Sequence, residues 1–290
     1  MVTLPARRRV MGAMKAHVPA GVKRNVWKAL VTLNALSTRA LSVLGKYRCP
    51  VCDARVYAFE PLPKFIMDDL QKYGWMYTEK DSETCGISHY ACPFCRASDR
   101  DRLYALYLRD YLKGLDPKGR VTIADFGPSP PLSCLIRRLI AESGREISYR
   151  TADLYAKDVD DTIDLTDLRI YRDGQFDFFI CSHVLEHIAD DRKALRELFR
   201  VLKPGGRGIL MVPIILTLAE IDEDPAADVG ERWRRFGQND HVRVYSKDGF
   251  IERVRSAGFV VHEYDRTFFG EEQFARNGIT RQSVLYVVER

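Results

Sequence analysis

Seven cysteines occur in the chain, and four of them form two Cys-x-x-Cys pairs: Cys49, Cys52, Cys92 and Cys95. Each pair can turn tightly enough to direct both sulfurs at one point, and four thiolates meet the tetrahedral preference of zinc. A proline follows the first cysteine of each pair and fixes φ in the turn. Because four cysteines leave no position for a substrate, we expect a structural zinc ion, with Cys85 and His89 as alternative ligands.

Acidic residues follow three successive apolar segments further along the chain: Asp125, Asp153 and Asp164. A fourth apolar segment ends at Ser182 and His183. Any one of the aspartates could simply cap the following helix. As a row at one edge of a parallel sheet, they suit a ligand with several hydroxyl and amine donors, such as a nucleoside.

The hydrophobic pattern from residue 121 onward predicts the strands and helices that position these residues, because short apolar segments alternate there with amphipathic ones. We expect strands at 121–126, 147–152, 176–181, 208–213, 259–264 and 283–289. We expect helices at 103–112, 132–141, 190–202 and 247–257. Such alternation predicts an α/β fold, a mostly parallel sheet with helices on both faces.

The amino-terminal region differs in charge from the rest. The chain has 290 residues and a formal charge of +5, yet residues 1–48 contain ten Lys and Arg and no acidic residue, so the remainder is net acidic. Apolar residues recur at steps of three and four between residues 24 and 46, which predicts a basic amphipathic helix. This helix could lie on an anionic membrane or on nucleic acid, or pack on the body. We predict three regions: 1–48, a zinc-knuckle segment 49–98, and a catalytic domain 99–290.

Composition narrows the class of protein. With 46% hydrophobic and 29% charged residues, the chain can form a core, which excludes a wholly disordered or fibrous protein. No apolar run approaches a membrane span, and no compact signal sequence stands at the start. Seven cysteines do not make a disulfide-dense secreted scaffold of a chain this long. We expect a cytoplasmic protein, with residues 24–46 as a candidate membrane contact.

Residues 121–290 resemble the class I S-adenosylmethionine-dependent methyltransferases, in particular the bacterial type 11 group. The resemblance is most specific over 176–206, which contains Ser182-His183-Val184-Leu185-Glu186-His187 and ends in Lys203-Pro204-Gly205-Gly206, and over 236–243. It implies a Rossmann-like, seven-stranded sheet with an antiparallel last strand, and S-adenosylmethionine as cofactor. A zinc-ribbon-like segment similar to residues 49–98 precedes the domain in a subset of that group.

The resemblance also implies roles for individual residues. The loop after the first strand would lie beneath the methionine moiety, the second strand end would bind the ribose, the third the adenine, and the fourth would lie near the sulfonium. The residues concerned are Asp125, Gly127, Asp153, Leu154, Asp164, Leu165, Ser182 and His183. The glycine-rich loop departs from the family pattern, because it reads Asp-Phe-Gly-Pro-Ser-Pro-Pro. Three prolines remove backbone donors, so the cofactor would sit differently or bind more weakly.

An oxygen acceptor needs a general base, and histidine is the usual one near neutral pH. His183 and His241 are the candidates. His183, Glu186 and His187 have the spacing i, i+3, i+4, so a helix would present all three on one face, where they could also hold a divalent cation. The insertion 216–245, which contains His241, is expected to shape a lid over the acceptor.

We therefore expect an S-adenosylmethionine-dependent methyltransferase that acts on a small molecule or glycan precursor at oxygen. Two alternatives stay open. The basic amino terminus and zinc segment could bind RNA, which would make the protein an RNA methyltransferase. The proline-filled loop could instead mark a non-catalytic binding protein that keeps the fold. The sequence does not indicate an oligomeric state.

Overall fold

The structure is a computed structural model that describes residues 44–116 and 119–290. Its strands are β1 Tyr47–Arg48, β2 Arg55–Val56, β3 Val121–Phe126, β4 Ile147–Asp153, β5 Asp161–Thr162, β6 Phe176–Ser182, β7 Leu202–Met211, β8 Asp222–Glu223, β9 Arg243–Val244, β10 Val260–Tyr264 and β11 Leu285–Glu289. Its α-helices are α1 Lys64–Tyr73, α2 Asp99–Gly114, α3 Pro130–Ser143, α4 Asp191–Val201, α5 Val229–Phe236, α6 Lys247–Ser256, α7 Arg266–Phe269 and α8 Glu271–Arg276.

One seven-stranded sheet organises the chain, in the order β10-β11-β7-β6-β3-β4-β5. Most residues of the central strands β3 and β6 are apolar and buried, as expected of parallel strands covered on both faces. They pair in parallel with each other and with β4 and β7. β11 runs antiparallel to both β7 and β10. The predicted seven-stranded sheet with an antiparallel last strand is confirmed.

The predicted strands and helices are all present, and the main differences concern β7, β5 and α2. β7 begins at Leu202 rather than at residue 208, because Leu202 pairs with Phe176 before the register shifts towards Phe178. β5 contains only two residues and was not located in advance, since so short a strand has no periodicity to detect. The helix expected at 103–112 is longer, α2, because Ser98 and Asp101 form a capping box at its start.

The predicted basic helix at 24–46 lies outside the described residues, apart from residues 44–46, which are not helical. The apolar face of this helix and its candidate membrane contact lie outside the described residues as well. Within the described ranges, no helix is both long and apolar enough to cross a membrane.

A fully buried arginine joins the cysteine-rich segment to the sheet domain. The guanidinium of Arg102, on α2, donates to the carbonyls of Tyr90 and Ala97 in that segment and to those of Asn277 and Gly278 near the carboxyl end. A buried guanidinium is tolerated when its N–H groups have partners, and here they are backbone oxygens from both parts of the chain. The two parts consequently share one continuous apolar core.

Candidate cofactor and metal sites

The two cysteine pairs meet in one cluster, as predicted. Cys49 Sγ lies 3.7 Å from Cys95 Sγ, and Cys52 Sγ lies 3.8 Å from Cys92 Sγ. Tetrahedral zinc with Zn–S bonds of about 2.3 Å requires sulfurs about 3.8 Å apart. The four thiols are free of disulfides and have the spacing that fits a zinc ion.

Both pairs adopt the same turn. The N–H of Asp53 donates to the carbonyl of Cys49 (2.8 Å), and the N–H of Arg96 donates to that of Cys92 (2.9 Å). Asp53 and Arg96 both have left-handed backbones, with φ of 63° and 68°. This repeated turn directs four sulfurs at one point. The alternative ligand His89 is occupied elsewhere, since its ring nitrogens contact Tyr47 and Ser88, and Cys85 is not a member of the cluster.

Two arginines from the sheet domain hold the first knuckle in place. Arg109 on α2 donates to the carbonyl of Pro50, and Arg138 on α3 donates to that of Val51. Both guanidinium groups also contact the carboxylate of Asp53, at 2.8 and 2.9 Å. The knuckle is therefore attached to the two helices that flank the first strand of the sheet.

The second site lies at the carboxyl ends of β3, β4 and β6. Phe126 pairs with Ala152 on one side and with Cys181 on the other, so these strands end at the same level. Parallel pairing thus brings together residues that are far apart in sequence. Two cavities open across these ends.

The smaller cavity, of about 520 Å³, lies over β3, β4 and the β5 end. Six of the predicted cofactor residues line it: Gly127, Asp153, Leu154, Asp164, Leu165 and His183. One oxygen of Asp153 accepts from the N–H groups of Tyr155 and Ala156, both at 2.7 Å, which holds the loop after β4.

The larger cavity, of about 730 Å³, lies between the zinc knuckles and the sheet. Its walls come from α2, the β3–α3 loop and the cysteine cluster, and they include the predicted residues Asp125 and Ser182. Ser182 Oγ is 2.8 Å from the hydroxyl of Tyr104. Of the described residues, only Gly127 and His183 line both cavities, so the two spaces meet at these residues.

Sequence reasoning missed Arg100 and Tyr104 in this cavity. They lie on α2, before the first strand of the sheet, where no strand-end argument applies. Arg100 contacts the Tyr90 hydroxyl at 3.2 Å and forms no ion pair with a carboxylate in the described part of the chain. What marks Arg100 is a guanidinium beside a cavity without an acidic partner among the described residues. The tertiary structure shows this feature, and the sequence pattern does not.

The proline-rich loop has a simple structural explanation. Pro130 and Pro131 are the first residues of α3, where backbone N–H groups have no helical partner and proline is favoured. Gly127 has a φ of 73°, and a Cβ there would come within 2.6 Å of Val184. The position therefore requires glycine. The prolines leave the α3 start with few donors for an anion.

His183 does not share a helical face with Glu186 and His187, which corrects that prediction. His183 has a left-handed backbone (φ 56°) between β6 and a short 3₁₀ turn at Leu185–His187. Its Nδ1 nevertheless lies 3.0 Å from Glu186 Oε1. Burial and the charge of Arg100 lower the pKa of His183. This shift favours the neutral imidazole.

Glu186 is fully buried, and its pKa shows how its surroundings compensate. Burial raises the pKa of this carboxyl, but His183, His241 and His187 together bring it down to about 2. His241 is buried behind Glu186, and burial lowers its pKa to about 4. Unlike His183, His241 is not among the residues that line the two cavities.

Strand order, the antiparallel β11 and a cavity across acidic strand ends together define the fold of a class I methyltransferase. A model of the methyltransferase domain family matches residues 104–264, more than half of the chain. The chain belongs to this family.

Individual relatives match over shorter segments. Demethylmenaquinone methyltransferase of Thermus thermophilus is 34% identical over 100 residues, which are 34% of this chain and 39% of that protein. Ubiquinone biosynthesis O-methyltransferase of Pseudomonas putida is 33% identical over 89 residues, 30% of this chain and 32% of that protein. The chain thus matches between 32% and 39% of the length of these two relatives. An S-adenosylmethionine-dependent methyltransferase structure from Mesorhizobium loti aligns with 66% of this chain and 98% of its own, at 17% identity and a TM-score of 0.41.

Asp125 generates a pH-dependent stability prediction. It is buried beside the Tyr149 hydroxyl, and desolvation raises its pKa from 3.8 to about 7. Between these values the folded state retains a proton that the unfolded chain has lost, so stability falls as pH rises through this window. Asp125→Asn should remove this decline, and its melting temperature relative to the unmutated protein should be higher at pH 8.5 than at pH 5.

The measurement is thermal unfolding without ligand. Asp160→Asn is the control of opposite sign, because hydrogen bonds from the Thr151 N–H and hydroxyl lower the pKa of Asp160. That carboxylate stabilises the fold above its unfolded pKa, so this variant should lose stability at neutral pH. If Asp125→Asn differs from the unmutated protein by the same amount at both pH values, Asp125 does not titrate as described.

The cysteine cluster generates a second prediction. Protein purified without oxygen should contain about one zinc per chain by mass spectrometry. Cys52→Ser should lose the metal and make the segment from residue 49 to 95 sensitive to protease, since structural zinc stabilises its fold. Cys134→Ser, at an exposed thiol outside the cluster, should keep both metal and resistance. Full zinc content in Cys52→Ser would exclude this ligand set.

Proposed function

We propose that the protein is an S-adenosylmethionine-dependent methyltransferase acting on a small molecule at an oxygen atom. The observation that carries the proposal is the pair of cavities that meet at Gly127 and His183. Methyl transfer needs two ligands side by side with the reacting atoms in line. Both volumes lie in the range of small-molecule sites.

The smaller cavity suits the adenosine part of the cofactor. Asp153 would accept hydrogen bonds from the ribose hydroxyls with the side of its carboxylate that does not hold the loop. Asp164 and Leu165 would contact the adenine, and Gly127 would let the methionine part pass into the larger cavity. When bound, S-adenosylmethionine supplies the electrophilic methyl group.

The larger cavity suits the methionine end together with the acceptor. Arg100 faces it and has no carboxylate partner among the described residues, which suits the cofactor carboxylate or an anionic group on the acceptor. The Pseudomonas putida relative is named an O-methyltransferase, which supports an oxygen acceptor.

His183 is the proposed general base. If its Nδ1–H donates to Glu186, the Nε2 lone pair is free, because this atom has no hydrogen-bond partner among the described residues. Glu186 would then fix the ring as carboxylates fix catalytic histidines elsewhere. The second candidate, His241, lines neither cavity, and we propose that it acts on Glu186 and not on the acceptor. Region 49–98 is proposed as a structural unit that completes the acceptor cavity of the domain 99–290.

Two other functions remain testable. The RNA methyltransferase proposal has support from the basic residues 1–48, although the remaining chain is net acidic. The binding-protein proposal has support from the few donors at the α3 start. Calorimetry with S-adenosylmethionine separates the latter, because a protein that has lost the cofactor would give no heat.

The cofactor site is tested by Asp153→Asn. Asparagine keeps one oxygen for the loop N–H groups but replaces the second acceptor by a donor, so affinity for S-adenosylhomocysteine should fall by about tenfold or more, a loss of about 1.4 kcal/mol. Asp160→Asn, whose carboxylate bonds Thr151 and does not line the cavity, should bind normally. Unchanged affinity in Asp153→Asn would show that the ribose binds elsewhere.

The catalytic proposal is tested by His183→Asn, because asparagine tolerates the left-handed backbone. A filtered small-molecule extract should support formation of S-adenosylhomocysteine, whereas bulk RNA should not. The variant should lose about 10²–10⁴-fold in rate while it still binds the cofactor. His262→Asn, on the edge strand β10, is the control. A normal rate in His183→Asn excludes the base, and RNA-dependent turnover favours the RNA enzyme.

A further inference from the structure

Behind the wall of the smaller cavity lies a second group of potential metal ligands. One ligand atom from each of Glu186, His187 and His241 lies within 4.8 Å of the others. Two of these side chains are nearly inaccessible, since Glu186 is 0% and His241 4% exposed. Despite that burial, Glu186 Oε2 and His241 Nε2 have no hydrogen-bond partner in the structure. Buried polar atoms without partners are rare in folded proteins.

The orientation of His241 is determined by its neighbour. Its Nδ1 lies 2.9 Å from the backbone carbonyl of Phe236, which can only accept a hydrogen bond. Nδ1 therefore carries the proton, and Nε2 presents a lone pair towards Glu186, 3.9 Å from Oε1. Histidines that bind metals typically donate the other ring N–H to a carbonyl in this way.

The two carboxylate oxygens of Glu186 also differ in their surroundings. Its Oε1 is engaged by His183 at 3.0 Å, whereas Oε2 is unpartnered. The lone pair of His241 Nε2 therefore faces a carboxylate, and since both groups are acceptors, neither can donate a hydrogen bond to the other. A cation between them would satisfy both.

The third ligand closes the cluster on the cavity side. His187 packs edge-on against His241 with ring centroids 4.6 Å apart, and its Nδ1 lies 3.3 Å from Asp240 Oδ2. His187 and Asp240 both line the smaller cavity. An ion held by the cluster would therefore have coordination positions open towards that cavity.

We infer that Glu186, His187 and His241 bind a divalent transition-metal ion, with Asp240 beside them and open positions facing the cavity. Two imidazoles and one carboxylate form a donor set that suits Mn²⁺, Fe²⁺ or Zn²⁺. This ion is distinct from the zinc of the four cysteines, which has no open position. A role in binding an oxygen atom of the acceptor rests on the proposed function, but the binding of the ion does not.

Manganese is the probe, and the protein is first loaded with zinc. Thiolates favour zinc, so the four cysteines are then occupied and added Mn²⁺ binds to nitrogen and oxygen ligands. Free aqueous Mn²⁺ has an electron paramagnetic resonance signal that decreases on binding. The full chain should remove about one equivalent of this signal. His187→Ala should weaken binding by at least about tenfold, and because this side chain is partly exposed, the variant should fold.

His262→Ala is the matched control, since this histidine pairs with Glu289 away from the cluster and should leave manganese binding unchanged. Glu186→Gln, checked for folding by circular dichroism, should also lose the ion. An unmutated protein that leaves the free signal intact, or equal binding by His187→Ala, overturns the inference. Calorimetry with S-adenosylhomocysteine in the same samples reports the cofactor site separately, so failure of one proposal is distinguishable from failure of the other.

Discussion

The common level at which β3, β4 and β6 end is the constraint on which the candidate site depends. Phe126 lies opposite both Ala152 and Cys181, so the residues that follow each strand leave the sheet side by side. A slip of one residue in either pairing would turn the strand-end side chains to the opposite face. The observed register gives the polar residues of these mostly buried strands their partners: Thr122 Oγ1 donates to Asp177 at 2.8 Å, and the buried Asp125 accepts from Tyr149. Core packing therefore determines the geometry of the site.

The cysteine-rich segment contributes to this site through its position. Arg102, Arg109 and Arg138 bind its backbone carbonyls from the helices of the sheet domain. Such carbonyls would be costly to leave without partners in a buried setting. The segment in turn supplies one wall of the larger cavity. A metal ion shared by the two knuckles would thus stabilise this wall of the larger cavity without touching a ligand.

Sequence patterns predicted the parts of the molecule that repeat or alternate. The central strands, the main helices, the four cysteines and the aspartates at strand ends all follow from local periodicity or fixed spacing. The patterns could not locate β5, the early start of β7 or the left-handed turn at His183, because each depends on pairing with a distant strand. The placement of Arg100 beside the cavity and the backbone carbonyls that surround the Arg102 guanidinium also depend on residues that are distant in sequence. The prolines at the start of α3 had a local explanation, as helix-starting residues.

One buried carboxylate connects the proposed general base to the proposed metal-binding cluster. Glu186 Oε1 contacts His183, which lines both cavities, and lies 3.9 Å from His241 Nε2, whereas Oε2 has no hydrogen-bond partner among the described residues. No lysine or arginine of the described residues pairs with this carboxylate. A buried carboxylate is costly, so the histidines must compensate it through hydrogen bonds or through a shared cation. Its position is also tied to the insertion, since the N–H of Val242 donates to the Glu186 carbonyl at 2.8 Å. The left-handed turn at His183, the 3₁₀ turn at Leu185–His187 and the insertion therefore form one unit, and a change in any of them alters the orientation of the imidazole between the cavities.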